Sequence, residues 1–214
     1  MKKYELDKST KITINHLPHY RIKALKDFAD VKAGDLGGFV LSEENLSHEG
    51  NCWIYDDAIA TDHARVMDDA LIASEATLKD YAVLSDNATL DDSCTVSGHA
   101  IVSEYATISG HAIVSKRVLI TDDAIIRDQA LVTDDAVVQN GAVISGNAQI
   151  KDHAVIAGCA QVTDNAIVED KVTIINGTHI DGYAHLSGNH TFYDSKGIFV
   201  FKTHWLPKNH YFTY

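Results

Sequence analysis

Apolar and polar positions in this chain repeat every six residues from Cys52 to Gly188. The column that steps from Cys52 to Ala184 has 23 positions; 18 are Ala and the others are Cys52, Cys94, Val118, Val172 and Thr178. Two residues further on, the column from Ile54 to Leu186 is Ile, Leu or Val everywhere except Ala60. Residues two apart on a strand point to the same side, so both columns face inward and the residue between them faces outward. An amphipathic helix places its apolar residues three and four apart and does not generate this period.

A third column, Asp56 to Gly188, holds 12 Asp, 6 Gly and 2 Asn among 23 positions, with Ser74, Glu104 and Lys116 as exceptions. Asp, Asn and Gly tolerate left-handed or tight-turn backbone, so each hexad reads as a short strand followed by a corner. Three such strands close a triangular coil. The pattern predicts an all-β, left-handed parallel β-helix of seven to eight coils, about 35 Å long at the sheet spacing of roughly 4.8 Å. A β-sandwich would need turn signals every 8–12 residues and irregular spacing.

The two ends depart from the period. Residues 1–51 predict a β-hairpin cap, with strands at 11–14 and 20–25 and a turn at Leu17, Pro18 and His19, then a lead-in loop at 34–40. That loop is Gly-rich but lacks the GxGxxG spacing of a nucleotide site. Residues 52–188 are the β-helix. Residues 189–214 carry 8 of the 17 aromatic side chains and predict a cap over the far end, where an open strand edge would otherwise recruit further chains. Trp205, Tyr211 and Phe212 in this segment are candidate cap or partner-binding residues.

Charge narrows the choice of partners. A net charge of −12 argues against direct binding of nucleic acid or anionic membrane, both of which need clustered Lys and Arg. Cys52, Cys94 and Cys159 form no CxxC pair or disulfide framework, and no apolar run is long enough for a membrane span. A soluble, cytoplasmic protein without metal or resident cofactor is expected. Cys52 and Cys94 fall in the inward column; Cys159 falls at a corner and should be more exposed.

Three outward constellations carry candidate chemistry. On one face the outward residues of successive coils are Val83, Ile101, Leu119, Val137 and Val155, an uninterrupted aliphatic stripe roughly 19 Å long, whereas the other faces alternate with Thr and Gln. Stripes of this kind mark association surfaces. Two residues before each stripe member runs the column His63, Tyr81, His99, Arg117, Asp135, His153 and Lys171, which puts His99 and His153 beside the stripe as candidate general bases. At one corner Asp68, Asp86, Glu104 and Asp122 stack on successive coils, either as corner formers, as a weak cation ladder or as an acidic surface mimicking nucleic acid.

The stretch from Asp27 to Val40, with Glu44-Asn45-Leu46-Ser47 and Gly50-Asn51-Cys52-Trp53-Ile54-Tyr55-Asp56, resembles the opening of the YdcK-type hexapeptide-repeat proteins of bacteria and their phages. The resemblance implies a left-handed β-helix akin to the trimeric, LpxA-like acyltransferases. There a histidine at a subunit groove acts as base while an acyl thioester of coenzyme A lies along the prism. It brings no catalytic residue of its own to this chain. Since the hexads run from 52 to 188 without an insertion, no loop is present to build a lid, and this disfavours an enzyme. The expectation is a non-catalytic binding or scaffold protein, homo-oligomeric and most simply trimeric through the stripe, with a host protein as a possible further partner. One alternative is an acyltransferase with a coenzyme A thioester donor and His99 or His153 as base. The other is an acidic decoy that inhibits a nucleic-acid-binding protein.

Overall fold

The computed structural model of the chain describes residues 2–193, and within them the chain is a parallel β-solenoid. Two antiparallel strands, β1 (Tyr4–Ile14) and β2 (Leu17–Ala24), lead into β3 (Leu36–Val40), after which short strands follow one another at every hexad to Thr191–Tyr193. They assemble into three sheets, one of 11 strands and two of 8. Successive coils pair in parallel and in register, with Val83 beside Ile101, Ile101 beside Leu119 and Leu119 beside Val137. The only helical element among the described residues is the 3-10 turn Glu43–Asn45, and no helix there is long and apolar enough to cross a membrane.

Both inward columns are buried as the period requires. Every member of the Ala column and of the aliphatic column is shielded from solvent, and all but Thr178 belong to one continuous apolar core. Cys52 and Cys94 fill Ala positions in that core, and burial pushes the Cys94 thiol up to about 12. Cys159 is exposed at its corner.

All 23 members of the corner column have positive φ, from Asp56 at 52° to Gly188 at 97°. Left-handed backbone costs roughly 1–2 kcal/mol for an ordinary L-residue, so even Ser74, Glu104 and Lys116 are held there by the coils around them. Gly at 98, 110 and 146 has a second reason besides φ. A Cβ at any of these positions would run into the corner backbone of the next coil, at Lys116, Asp128 and Asp164.

The N-terminal region differs from the sequence reading in two places. The hairpin turn is at Asn15 and His16, both with positive φ, and Pro18 lies within β2 opposite Thr13. A two-residue turn with both centres left-handed matches the twist of its strands, and Asn and His are among the non-Gly residues that adopt that conformation most often. The 34–40 segment is not wholly a loop, because Leu36–Val40 forms β3 and pairs in parallel with Ile59–Ala60. With the bridge from Leu46 to Val66, it adds a turn beneath the first hexad, so nine of the 11 strands on this face stack in parallel from β3 onward. Gly37 and Gly38 hid this strand, since glycine weakens a strand reading. Their role is close approach: a Cβ on Gly37 would strike the Ile54 carbonyl, and one on Gly38 the Ala58 carbonyl.

A parallel coil ends in unpaired groups. Each coil donates its N–H groups to carbonyls of the next, as from Ile59 to Ala76 (2.9 Å), so carbonyls of the lowest coils lack a donor beneath them. Side chains supply the donors. Lys3 Nζ donates to the Cys52 carbonyl (2.9 Å), Asn45 Nδ2 to Ala64 (2.9 Å), the Tyr4 hydroxyl to Leu46 (2.8 Å) and Arg21 Nη1 to Asp56 (2.9 Å). Tyr4, Phe28 and Trp53 pack edge to face beneath the core and close the prism against water.

Two substitutions test this packing. Ala124→Leu adds three carbons to a fully buried position in a rigid triangle, and Gly38→Ala forces β3 away from the first coil; each should lower the unfolding free energy in urea by about 1–3 kcal/mol. Parent-like unfolding of either variant would refute the assignment of its site.

Candidate functional site

The stripe face is built from strands whose second residue turns into the core and whose first faces out. Val83, Ile101, Leu119, Val137 and Val155 are consecutive neighbours along this sheet. Ile101 is 45% exposed and Leu119 36%. Other faces also expose aliphatics, Ile113 at 48% and Ile125 at 38%, but Ile113 has Thr95 on one side and Ile125 has Thr107. What distinguishes the stripe is its continuity.

Two different corners border this face. Where the chain enters it, the rings of His63, Tyr81 and His99 stack, with centroids 4.8 and 4.9 Å apart. Above them Arg117 makes a two-pronged contact with Asp135, Nε to Oδ1 at 2.6 Å and Nη2 to Oδ2 at 2.8 Å, and His153 Nδ1 lies 3.8 Å from Asp135 Oδ2. The Arg117 guanidinium holds the Asp135 carboxyl below its ordinary range, and Asp135 raises Arg117 in turn. This column is a ladder of neighbours one coil apart. His99 and His153 lie on one corner but are separated by the Arg117 and Asp135 coils, about 14 Å at three coil spacings. Within one chain they do not converge on a common reacting atom.

Where the chain leaves the stripe face stand Asp68, Asp86, Glu104 and Asp122. The three Asp carboxylates are engaged in the turns: Asp68 Oδ2 accepts from the Asp86 N–H (3.4 Å), Asp86 Oδ2 from the Glu104 N–H (3.3 Å), and Asp122 Oδ2 from both the N–H (3.2 Å) and side-chain amide (3.0 Å) of Asn140. The same coil-to-coil bond recurs at other corners, from Gly98 to Asp80 and from Gly110 to Asp92, both at 2.9 Å. Asp is therefore favoured at a corner for two reasons, its tolerance of positive φ and its acceptor reaching the next coil. A hydrogen-bonded N–H between stacked carboxylates offsets repulsion that costs about 1 kcal/mol per pair in water.

No group of three or more His, Cys, Asp or Glu among the described residues is arranged to hold a metal ion. A shallow open hollow lies at the corner opposite the stripe face, lined by Ser74, Glu75, Asp92, Ser93, Gly110 and His111, so it draws on neither His99 nor His153. Trp205, Tyr211 and Phe212 lie outside the described residues. Sequence reasoning missed Lys3, Tyr4, Arg21 and Asn45, which hold the closed end. For Asn45 a signal was present, since Ser42 and Asn45 have the spacing of a capping box and form one around the 3-10 turn.

No protein-family model matches this chain. A stretch of 41 residues is 56% identical to a protein of Escherichia coli K12 named as an uncharacterized acetyltransferase, YdcK. That stretch is 19% of this chain and 13% of the relative, so the likeness spans about an eighth of the relative's length. Together with the stacked coils it fits a hexapeptide-repeat, acyltransferase-like family.

The role of the acidic corner is open to direct measurement. Asp122→Ala loses two hydrogen bonds and places Ala at φ 58°, and should cost about 1–2 kcal/mol in chemical unfolding, whereas Asp122→Asn retains an acceptor and a residue suited to that backbone and should cost less. Equal stability of both variants and the parent would show that the carboxylate holds nothing at this corner.

Proposed function

We propose that this protein is a non-catalytic binding or scaffold protein that assembles with copies of itself through the stripe face, three copies around a common axis. The observation that carries the reading is the unbroken run of five aliphatic side chains on a flat sheet. Each copy carries a charge of −12, so copies repel except where apolar surface meets apolar surface. Lys116 and Arg117, on the edge where the chain enters the face, are already paired with Asp134 and Asp135 one coil on. The contact between copies therefore rests on the apolar stripe and not on charge, and identical copies meeting through it close by point symmetry. Likeness to the trimeric hexapeptide-repeat enzymes supports the number three.

The second reading is an acyltransferase using a coenzyme A thioester. It is favoured by the partial likeness to a protein named an acetyltransferase and by His99 and His153 beside the face where copies would meet. In a ring, a neighbouring copy supplies the second wall that the ladder lacks on its own. Against it stand the uninterrupted coils, which leave no protruding loop to cover a substrate, and the engagement of the His99 ring in a stack with Tyr81.

Assembly and chemistry separate in two experiments. Leu119→Glu puts a charge at the middle of the stripe and should lower the mass seen by light scattering while circular dichroism stays that of the parent; Ile113→Glu, with Thr95 beside it on another face, should leave the mass unchanged. A parent that is monomeric at tens of micromolar would end the proposal. For the enzyme reading, acetyl-coenzyme A should raise the melting temperature as RT ln(1 + [L]/Kd). The scaffold reading expects no shift, and a stabilisation abolished by His99→Ala would reverse the order of the two.

A further inference from the structure

Lys3 and Cys52 form a pair that neither the assembly reading nor the enzyme reading uses. Lys3 is a charged residue type with none of its surface exposed, which is rare without a specific partner. Its Nζ sits beneath the first coil, 2.9 Å from the Cys52 carbonyl, 3.3 Å from that of Gly50 and 3.2 Å from the Cys52 Sγ. The Phe28 ring lies 5.2 Å away and completes the enclosure. Cys52 is equally buried. Other positions of its column are mostly Ala, so the sulfur is not required to fill the core. Capping of carbonyls accounts for the amine, and small size accounts for the position of Cys52. Neither accounts for an amine and a thiol held 3.2 Å apart.

We propose that Lys3 and Cys52 are a redox-reactive pair, in which hydrogen peroxide converts the contact into a reversible covalent bond between Nζ and Sγ. In the first step the thiol proton passes to Nζ, and the thiolate attacks peroxide, breaking its O–O bond. Sulfur is oxidised to the sulfenic acid, and the departing hydroxide takes the proton back from Nζ and leaves as water. In the second step the Nζ lone pair attacks sulfur, the S–O bond breaks, and the hydroxide leaves with an amine proton as a second water. One peroxide is thus reduced to two waters, sulfur loses two electrons, and a sulfenamide joins the side chains. Sulfenic acids condense with nitrogen nucleophiles in this way, and a thiol reductant reverses the bond.

Geometry and environment favour the second step. Reacting atoms held about 3–3.5 Å apart are near their attack distance. Burial pulls the Lys3 ammonium down, towards the neutral amine that the step needs, and pushes the Cys52 thiol up. Exclusion of bulk water protects the sulfenic acid from the thiols that would otherwise capture it. Peroxide reaches the pair through local opening of β1, which among the described residues is the edge strand of its sheet and pairs only with β2. The bond would pin the start of β1 to the start of the first hexad and lock the closed end.

The test uses the full chain, treated with hydrogen peroxide, digested and mapped by mass spectrometry. The expected product is a peptide pair joining Lys3 to Cys52, lighter by two hydrogens than the separate peptides, lost on dithiothreitol treatment and accompanied by a reversible rise in melting temperature. A joined pair heavier by one oxygen, in which that atom bridges nitrogen and sulfur, would contain no direct bond between Nζ and Sγ and would overturn the proposed step. Cys52→Ala, which restores the common residue of its column, should fold and give no link. Cys94, buried beyond reach of any lysine contact of this kind, should not link in the same sample. Recovery of Cys52 as free thiol, or as sulfinic acid with Lys3 unmodified, overturns the proposal.

Discussion

Everything in this molecule depends on the backbone turning through the left-handed region at every sixth residue. A strand of two residues cannot bury itself, and three such strands bury their inward side chains only if the chain bends sharply between them. Positive φ at 23 successive corners makes that bend. Once it is made, the coil-to-coil ladder, the core of Ala and branched aliphatics, and the flat faces follow. The cost of left-handed backbone at non-Gly residues is offset locally, because the side chain that suits the conformation also bonds to the coil above.

This regularity shapes what the surface can do. A prism without insertions presents columns, and each column places neighbours roughly 4.8 Å apart. Columns suit ladders: rings stack on rings, as His63, Tyr81 and His99 do, and ions pair with ions, as Arg117 and Asp135 do. They suit poorly the convergence of several groups on one atom, which catalysis requires. A flat apolar column is, however, well matched to another flat surface, and this is why assembly is the functional reading favoured by the physics of the fold.

The closed end works by a different logic. There the repeat stops, carbonyls lose their backbone donors, and cationic and polar side chains from residues distant in sequence replace them. The result is the most varied chemistry in the described chain: a buried lysine, a buried thiol, a buried asparagine and an aromatic cluster within one small region. It is also where glycine serves packing, at Gly37 and Gly38, more than turning.

The coil was legible in the sequence because each hexad repeats the same local demands, and local demands are written at fixed spacing: Ala where the interior is narrow, a branched aliphatic beside it, Asp or Gly where φ is positive. The stripe was legible for the same reason, since its members are spaced by whole coils. The first turn was not, because Leu36–Val40 and Leu46 reach the prism through contacts that obey no period. Nor could spacing show that Asp122 accepts bonds from Asn140, that His99 is stacked on Tyr81, or that Lys3 lies against Cys52. A period reveals which residues share a column. Which atoms meet across a column, and which side chain from 49 positions away closes its end, depends on how the coils stack and where the chain folds back beneath them.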